Sequence, residues 1–145
     1  MKKLKTLDLG KEKVDVYFDN FEYFQPNKHK CGDCSIRCIC AAEGMDWYDV
    51  FDGLAASARA NQWIIGLREN LTDYLSTLGY DWYPINPKRG ERRPTVSGFA
   101  RTHKNDTYIM LVANHVVGGK NGKYMDIWDC GSKSLYGYWL KRKQK

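Results

Sequence analysis

An α+β fold is predicted by three features of this 145-residue chain. Apolar residues recur at helical spacing in segments up to about residue 100. Beyond Thr107 the period switches to the alternation of strands. Within that second region lies Asn121-Gly122, the strongest short hairpin signal in the chain. Helices first and an antiparallel sheet second is the order expected of an α+β layout.

Residues 14–24 are apolar and aromatic, which suits either a strand or an irregular packed arm, and Gln25-Pro26-Asn27-Lys28 breaks that pattern. Cys34 to Ala42 reads as a helix, with Asp33 as N-cap, Gly44 as the stop and an Asp33–Arg37 pair across the first turn. A second helix starts at Asp46, which caps, with Asp49 in the place of the capping-box Glu. Trp47, Val50, Phe51 and Leu54 form its apolar face. A third helix runs from about Gly66 to Leu78, with Leu67, Leu71, Tyr74, Leu75 and Leu78 on one side and Gly79 as C-cap.

Pro84, Pro87, Gly90 and Pro94 make 80–94 a loop, and Thr95 caps a short helix through Ala100. Strands are expected over Thr107–Ala113, His115–Gly118, Lys123–Trp128 and Tyr136–Leu140.

The length suits one domain, 1–145, with a basic tail at about 141–145. A chain of this size buries roughly 70% of its unfolded surface and needs no staples to fold. Hydrophobic residues at 43% fit an ordinary core. The net charge is +6, concentrated near the two ends and in Lys88, Arg89, Arg92 and Arg93. It reads as solvated surface charge, which makes nucleic acid an unlikely partner. No apolar run reaches the length of a membrane span, and neither a secretory signal nor a membrane association is expected. Five cysteines, four of them between Cys31 and Cys40, suit free thiols in a reducing cytoplasm better than a disulfide framework.

The chemistry-bearing residues are Cys34, His115 and Asp126. A free thiol with a pKa of about 8.5 is only a few per cent thiolate at neutral pH. A helix N-terminus and a neighbouring imidazolium both favour the thiolate, and Cys34 opens a helix. An acid beyond the His fixes its tautomer and orientation. If Asn121 and Gly122 form the turn, residue 115 opposes 128, and 126 shares their sheet face. That puts Asp126 within diagonal reach of His115, whereas Asp129 falls on the other face. Trp128 reads either as a core aromatic, the commoner role, or as a lid over the His–Asp bond, a site wall. His29 and His103 lie in polar surroundings and read as surface residues, and Cys38 reads as a buried helix cysteine.

Two other readings of the cysteines stay open. Cys31-x-x-Cys34 followed by Cys38 and Cys40 invites zinc, but residues two apart on a helix diverge by about 200°. A Cys31–Cys34 redox pair is the other.

Certain segments carry a family resemblance. They are Gly32-Asp33-Cys34-Ser35-Ile36-Arg37, Asp106-Thr107-Tyr108-Ile109, His115-Val116-Val117 and Asp126-Ile127-Trp128-Asp129. They resemble the Gly-Asp-Cys-x-x-Arg, Gly-Thr-Tyr-Ile, His-Val-Val and Asp-x-Trp-Asp segments of small papain-like proteins of bacteria and their phages. Asp126-Ile127-Trp128 is also similar to the Asn-Ser-Trp of papain. The similarity spans roughly residues 22–140, by matched segments separated by unmatched stretches.

The resemblance implies a papain-like fold, with N-terminal helices packed on a C-terminal antiparallel sheet. It implies a Cys34–His115–Asp126 triad in a cysteine peptidase or amidase that works through a thioester. The expected substrate is a peptide or protein, in the cytoplasm of a bacterial host, with no cofactor and no metal centre. The chain departs from the pattern in places. Asp106 stands where such proteins have Gly. Gly118 and Gly119 replace apolar residues, which weakens that strand on paper. Papain's oxyanion Gln lies six residues before its Cys; here Lys28 occupies that position, and Gln25 and Asn27 are the nearest amides. The alternative is a catalytically silent papain-fold module, of phage or mobile-element origin, that binds a host protein. A zinc- and nucleic-acid-binding protein is third.

Overall fold

A computed structural model describes residues 2–9, 12–20 and 32–144. The architecture is α+β. Strands β1 (Lys2–Leu9) and β2 (Glu12–Asn20) form a hairpin ahead of three helices: α1 (Cys34–Glu43), α2 (Trp47–Asn61) and α3 (Arg68–Thr77). Then come β3 (Tyr80–Pro84), α4 (Val96–Thr102), β4 (Thr107–Val112), β5 (His115–Lys120), β6 (Lys123–Asp126) and β7 (Gly137–Lys141).

Among the described residues these strands form one sheet in the order β1-β2-β6-β5-β4-β7-β3. Its faces are covered unequally. Helices α1 to α3 pack on one side over Ile109, Val116 and Trp139. Phe99 and Ala100 of α4 cover the other, with Phe18, Tyr108, Met110, Val117 and Tyr124.

The expected order of helices first and a purely antiparallel sheet second needs correcting. Two strands precede the helices, and β2 runs parallel to β6, with Phe18 opposite Tyr124 and Asn20 opposite Asp126. The remaining pairings are antiparallel. A parallel partner requires a long crossover, so no local pattern in residues 14–24 announces it. The expected loop at 80–94 also begins with a strand. Tyr80 to Pro84 pairs with β7 at the edge of the sheet, where a terminal proline is tolerated. Trp82 lies against Trp139, ring centroids 4.5 Å apart, and this aromatic alternation outweighs the proline signal.

The helix ends follow local chemistry. Gly44 stops α1 in the left-handed region at φ 70°, with its N–H on the Cys40 carbonyl. Asp46 caps α2 by accepting from the Tyr48 N–H at 3.0 Å, and Thr95 caps α4 by accepting from the Gly98 N–H at 3.1 Å. Asp33 occupies the α1 N-cap position but makes no side-chain cap; its carboxylate is used elsewhere. Helix α3 begins at Arg68 rather than Gly66, because Leu67 is extended.

The Asn121-Gly122 turn has both residues at positive φ, 55° and 81°, the twist a two-residue hairpin needs. It pairs Lys120 with Lys123 and Gly118 with Met125. The ladder stops there: the expected strand through Trp128 ends at Asp126, residues 127 and 128 bend away, and the expected pairing of 115 with 128 is not formed, while Asp126 still reaches His115. The start of β5 and the end of β6 therefore lie at one end of the sheet.

Gly118, read from the sequence as a weak point in its strand, has a different role. A Cβ there would overlap the backbone carbonyl of Cys38 in α1. Only a glycine lets the helix lie this close to β5. Cys38, Ala41 and Ala42 of α1 are small and buried, and Ile39 is fully buried. The Cys34 helix and the His115 strand are thus packed backbone against backbone.

Gly118→Ala is predicted to destabilise the protein by about 1–3 kcal/mol, because a backbone carbonyl cannot swing aside as a side-chain tip can. Urea unfolding measures it. An unchanged midpoint would mean that α1 does not rest on β5 in this way.

Candidate active site

Cys34 is the first residue of α1 and is partly exposed. As the first helical residue, its N–H has no intrahelical acceptor, and the helix dipole favours negative charge there. Burial opposes ionisation of the thiol. A hydrogen bond with His115, the Val116 backbone N–H and the charges of His115 and Arg37 outweigh it, and the Cys34 pKa falls below its usual value. The other described cysteines behave oppositely. Burial raises Cys38, Cys40 and Cys130, Cys40 to about 11.

His115 opens β5, and its Nε2 lies 2.6 Å from Oδ2 of Asp126, the last residue of β6. Burial disfavours the imidazolium. The Asp126 carboxylate, with contributions from Cys130 and Cys34, overcomes this and pushes His115 up to about 11. With Nε2 committed to Asp126, Nδ1 is the nitrogen left for the thiol.

Asp126 is 1% exposed and receives donors on both oxygens. Arg37 Nε donates to Oδ1 at 3.0 Å and the Ile127 N–H at 2.7 Å. Oδ2 takes His115 and, at 3.6 Å, the Cys130 thiol. Arg37 is itself buried, and its Nη1 donates to Asp33 Oδ1 at 2.9 Å. Asp33 Oδ2 accepts from the Trp47 indole N–H at 3.0 Å. A continuous polar chain therefore joins Trp47 at the start of α2, through Asp33, Arg37 and Asp126, to His115.

The structure brings Cys34, His115, Asp126 and Trp128 together. The Trp128 ring stands 5.0 Å from the His115 ring, tilted by 38°, with an exposed outer surface. Asp129 is engaged elsewhere, accepting from Tyr124 Oη at 2.7 Å and the Gly131 N–H at 2.9 Å. Gln25 and Asn27, the oxyanion candidates, lie outside the described residues, as do Lys28 and Cys31. Asp33 and Ser35, the chain neighbours of Cys34, line an open, mainly apolar pocket of about 240 Å³ with Ile36, Trp47, Phe51 and Ile65.

Two contributors escaped the sequence reading. Arg37 was paired with Asp33 but not with Asp126, 89 residues away. Its signal was present: Arg37 is the one charged residue between Cys34 and Ala42. Cys130 was not singled out at all. It is fully buried, and its sulfur, His115 and Asp126 place donor atoms within 4.8 Å of one another.

Among the described residues, no helix is long and apolar enough to cross a membrane. Among the described residues of the basic tail, Lys141 pairs with Glu43, Arg142 with Asp81 and Lys143 with Asp106. Comparison with protein-family models, curated proteins and solved structures returns no match.

Arg37→Met is predicted to cost about 3–5 kcal/mol in urea unfolding, because it strips the buried Asp126 carboxylate of a cation. A loss below about 1 kcal/mol, the range of exposed ion pairs, would contradict a buried Arg37–Asp126 pair.

Proposed function

We propose that this protein is a papain-like thiol hydrolase, a cysteine peptidase or amidase. The observation that carries this reading is the contact series Cys34–His115–Asp126, in which the one thiol among the described residues that is shifted towards thiolate lies at a helix N-terminus beside a charged imidazole.

The chemistry follows from those positions. The Cys34 thiolate attacks a substrate carbonyl carbon. The negative charge passes to the carbonyl oxygen, which the Cys34 backbone N–H stabilises at the helix start. Collapse of the tetrahedral intermediate breaks the carbon–nitrogen bond as His115 Nδ1 protonates the leaving amine, and a thioester remains. His115, now neutral, takes a proton from water. The hydroxide displaces Cys34, releasing the acid and restoring the thiolate–imidazolium pair. Asp126 holds the ring in position through both proton transfers. Gln25 or Asn27 is the proposed second oxyanion donor. The apolar pocket lined by Asp33 and Ser35, the neighbours of Cys34, is a place for a substrate side chain.

A second reading, a catalytically silent binding module for a host protein, draws support from exposed apolar residues between α2 and α3. Ile64 is 72% exposed, and Trp63, Ile65 and Leu67 accompany it.

Alkylation separates the two. A lowered pKa keeps Cys34 as thiolate below the pH at which free thiols protonate. With iodoacetamide at pH 6, Cys34 should therefore react about tenfold or more faster than the other thiols, read by peptide mass spectrometry. His115→Ala should shift the rate profile of Cys34 up towards about pH 8.5. Equal, sluggish reaction of all thiols would remove the hydrolase reading and leave the binding module.

A further inference from the structure

Cys130 is unused by the mechanism above, yet its sulfur lies on the bond that orients His115. We propose that His115, Asp126 and Cys130 bind one zinc-class divalent cation, which replaces the proton between His115 and Asp126 and switches off turnover.

Geometry carries the metal site. Tetrahedral zinc, with Zn–S of about 2.3 Å and Zn–N or Zn–O of about 2.0–2.1 Å, needs donors roughly 3.3–3.6 Å apart. Cys130 Sγ and Asp126 Oδ2 are already 3.6 Å apart. His115 Nε2 and Asp126 Oδ2, at 2.6 Å, need to open by less than an ångström once no proton is shared. All three donor atoms lie within 4.8 Å of one another. Arg37 Nε and the Ile127 N–H hold Oδ1, which leaves Oδ2 for the metal, the outer-shell arrangement that orients carboxylate ligands. Thiolate with imidazole selects zinc-class ions over magnesium or calcium.

Charge balances without any redox step. One Zn²⁺ enters, the Nε2 proton of the imidazolium and the Cys130 thiol proton leave to solvent, and the site's net charge is unchanged. A water molecule would be needed to complete the tetrahedron, and Cys34 stays on the Nδ1 side of the ring.

The metal half of this inference stands alone; the switch rests on the hydrolase reading. With zinc on Nε2, the ring is neutral and Nδ1–H becomes too weak an acid to protonate a leaving amine. The Cys34 thiolate itself remains open to alkylation.

Cobalt(II) is the probe, titrated into the full chain under reducing conditions and followed by absorption. One equivalent should produce a thiolate-to-cobalt charge-transfer band with tetrahedral visible bands. Cys130→Ala should abolish the charge-transfer band, while Cys34→Ala and Cys31→Ala keep it. Should Cys130→Ala fail to fold by circular dichroism, Cys130→Ser serves in its place. No band in the wild-type chain, or a band that survives loss of the Cys130 sulfur, overturns the metal site. Zinc should leave iodoacetamide alkylation of Cys34 within about twofold of its metal-free rate; a block would place the ion on Cys34 and overturn the assignment. A normal cobalt band with an unreactive Cys34 in metal-free protein overturns the hydrolase reading and the switch, and upholds the metal site.

Discussion

Asp126 is a carboxylate with 1% exposure, set between two cationic side chains: Arg37 on Oδ1 at 3.0 Å and His115 on Oδ2 at 2.6 Å. An isolated charge at such a depth is expensive, and its cost is met only when partners occupy its lone pairs. Those partners come from different parts of the fold. Arg37 belongs to α1, His115 to β5, and the Ile127 N–H to the chain leaving β6. Satisfying one carboxylate therefore fixes a helix and two strand ends relative to one another. Gly118 makes the same helix–strand approach possible from the packing side, by offering no Cβ to the Cys38 carbonyl.

The four described cysteines show how much placement matters. Three are buried among apolar neighbours or beside negative groups, and their thiols are raised. Cys34 is also desolvated, yet its pKa falls, because His115, the Val116 N–H and Arg37 lie on it. Charges alternate in sign along Cys34, His115, Asp126, Arg37 and Asp33, so each is flanked by the opposite sign. This is the arrangement in which a buried ionic chain is self-consistent.

Much of this was legible in the sequence because it depends on local chemistry. Asn121-Gly122 can form only a narrow class of turn, and the turn sets the register that brings Asp126 to His115. Gly44, Asp46 and Thr95 end or begin helices through their own backbone or side-chain preferences. Contacts between distant segments were not legible. The parallel pairing of β2 with β6, the Arg37–Asp126 pair and the burial of Cys130 beside His115 arise from the tertiary path of the chain. Gly118 was misread for the same reason: its strand alone suggests weakness, and only the helix laid on it shows what the missing side chain permits. Tyr80 to Pro84 is a different case, since proline weighed more in the reading than the aromatic alternation that packs the edge strand.

On the proposed chemistry, Asp126 and the Cys34 thiolate hold His115 as an imidazolium at neutral pH. Nitrogen-15 NMR of the His115 ring measures this directly in the metal-free protein. Protons are expected on both ring nitrogens through neutral pH, with deprotonation only as pH approaches about 11. Substituting Cys34 by Ser or Asp126 by Asn should lower that transition. A neutral ring that titrates near the usual 6.5, unaffected by either substitution, would contradict it.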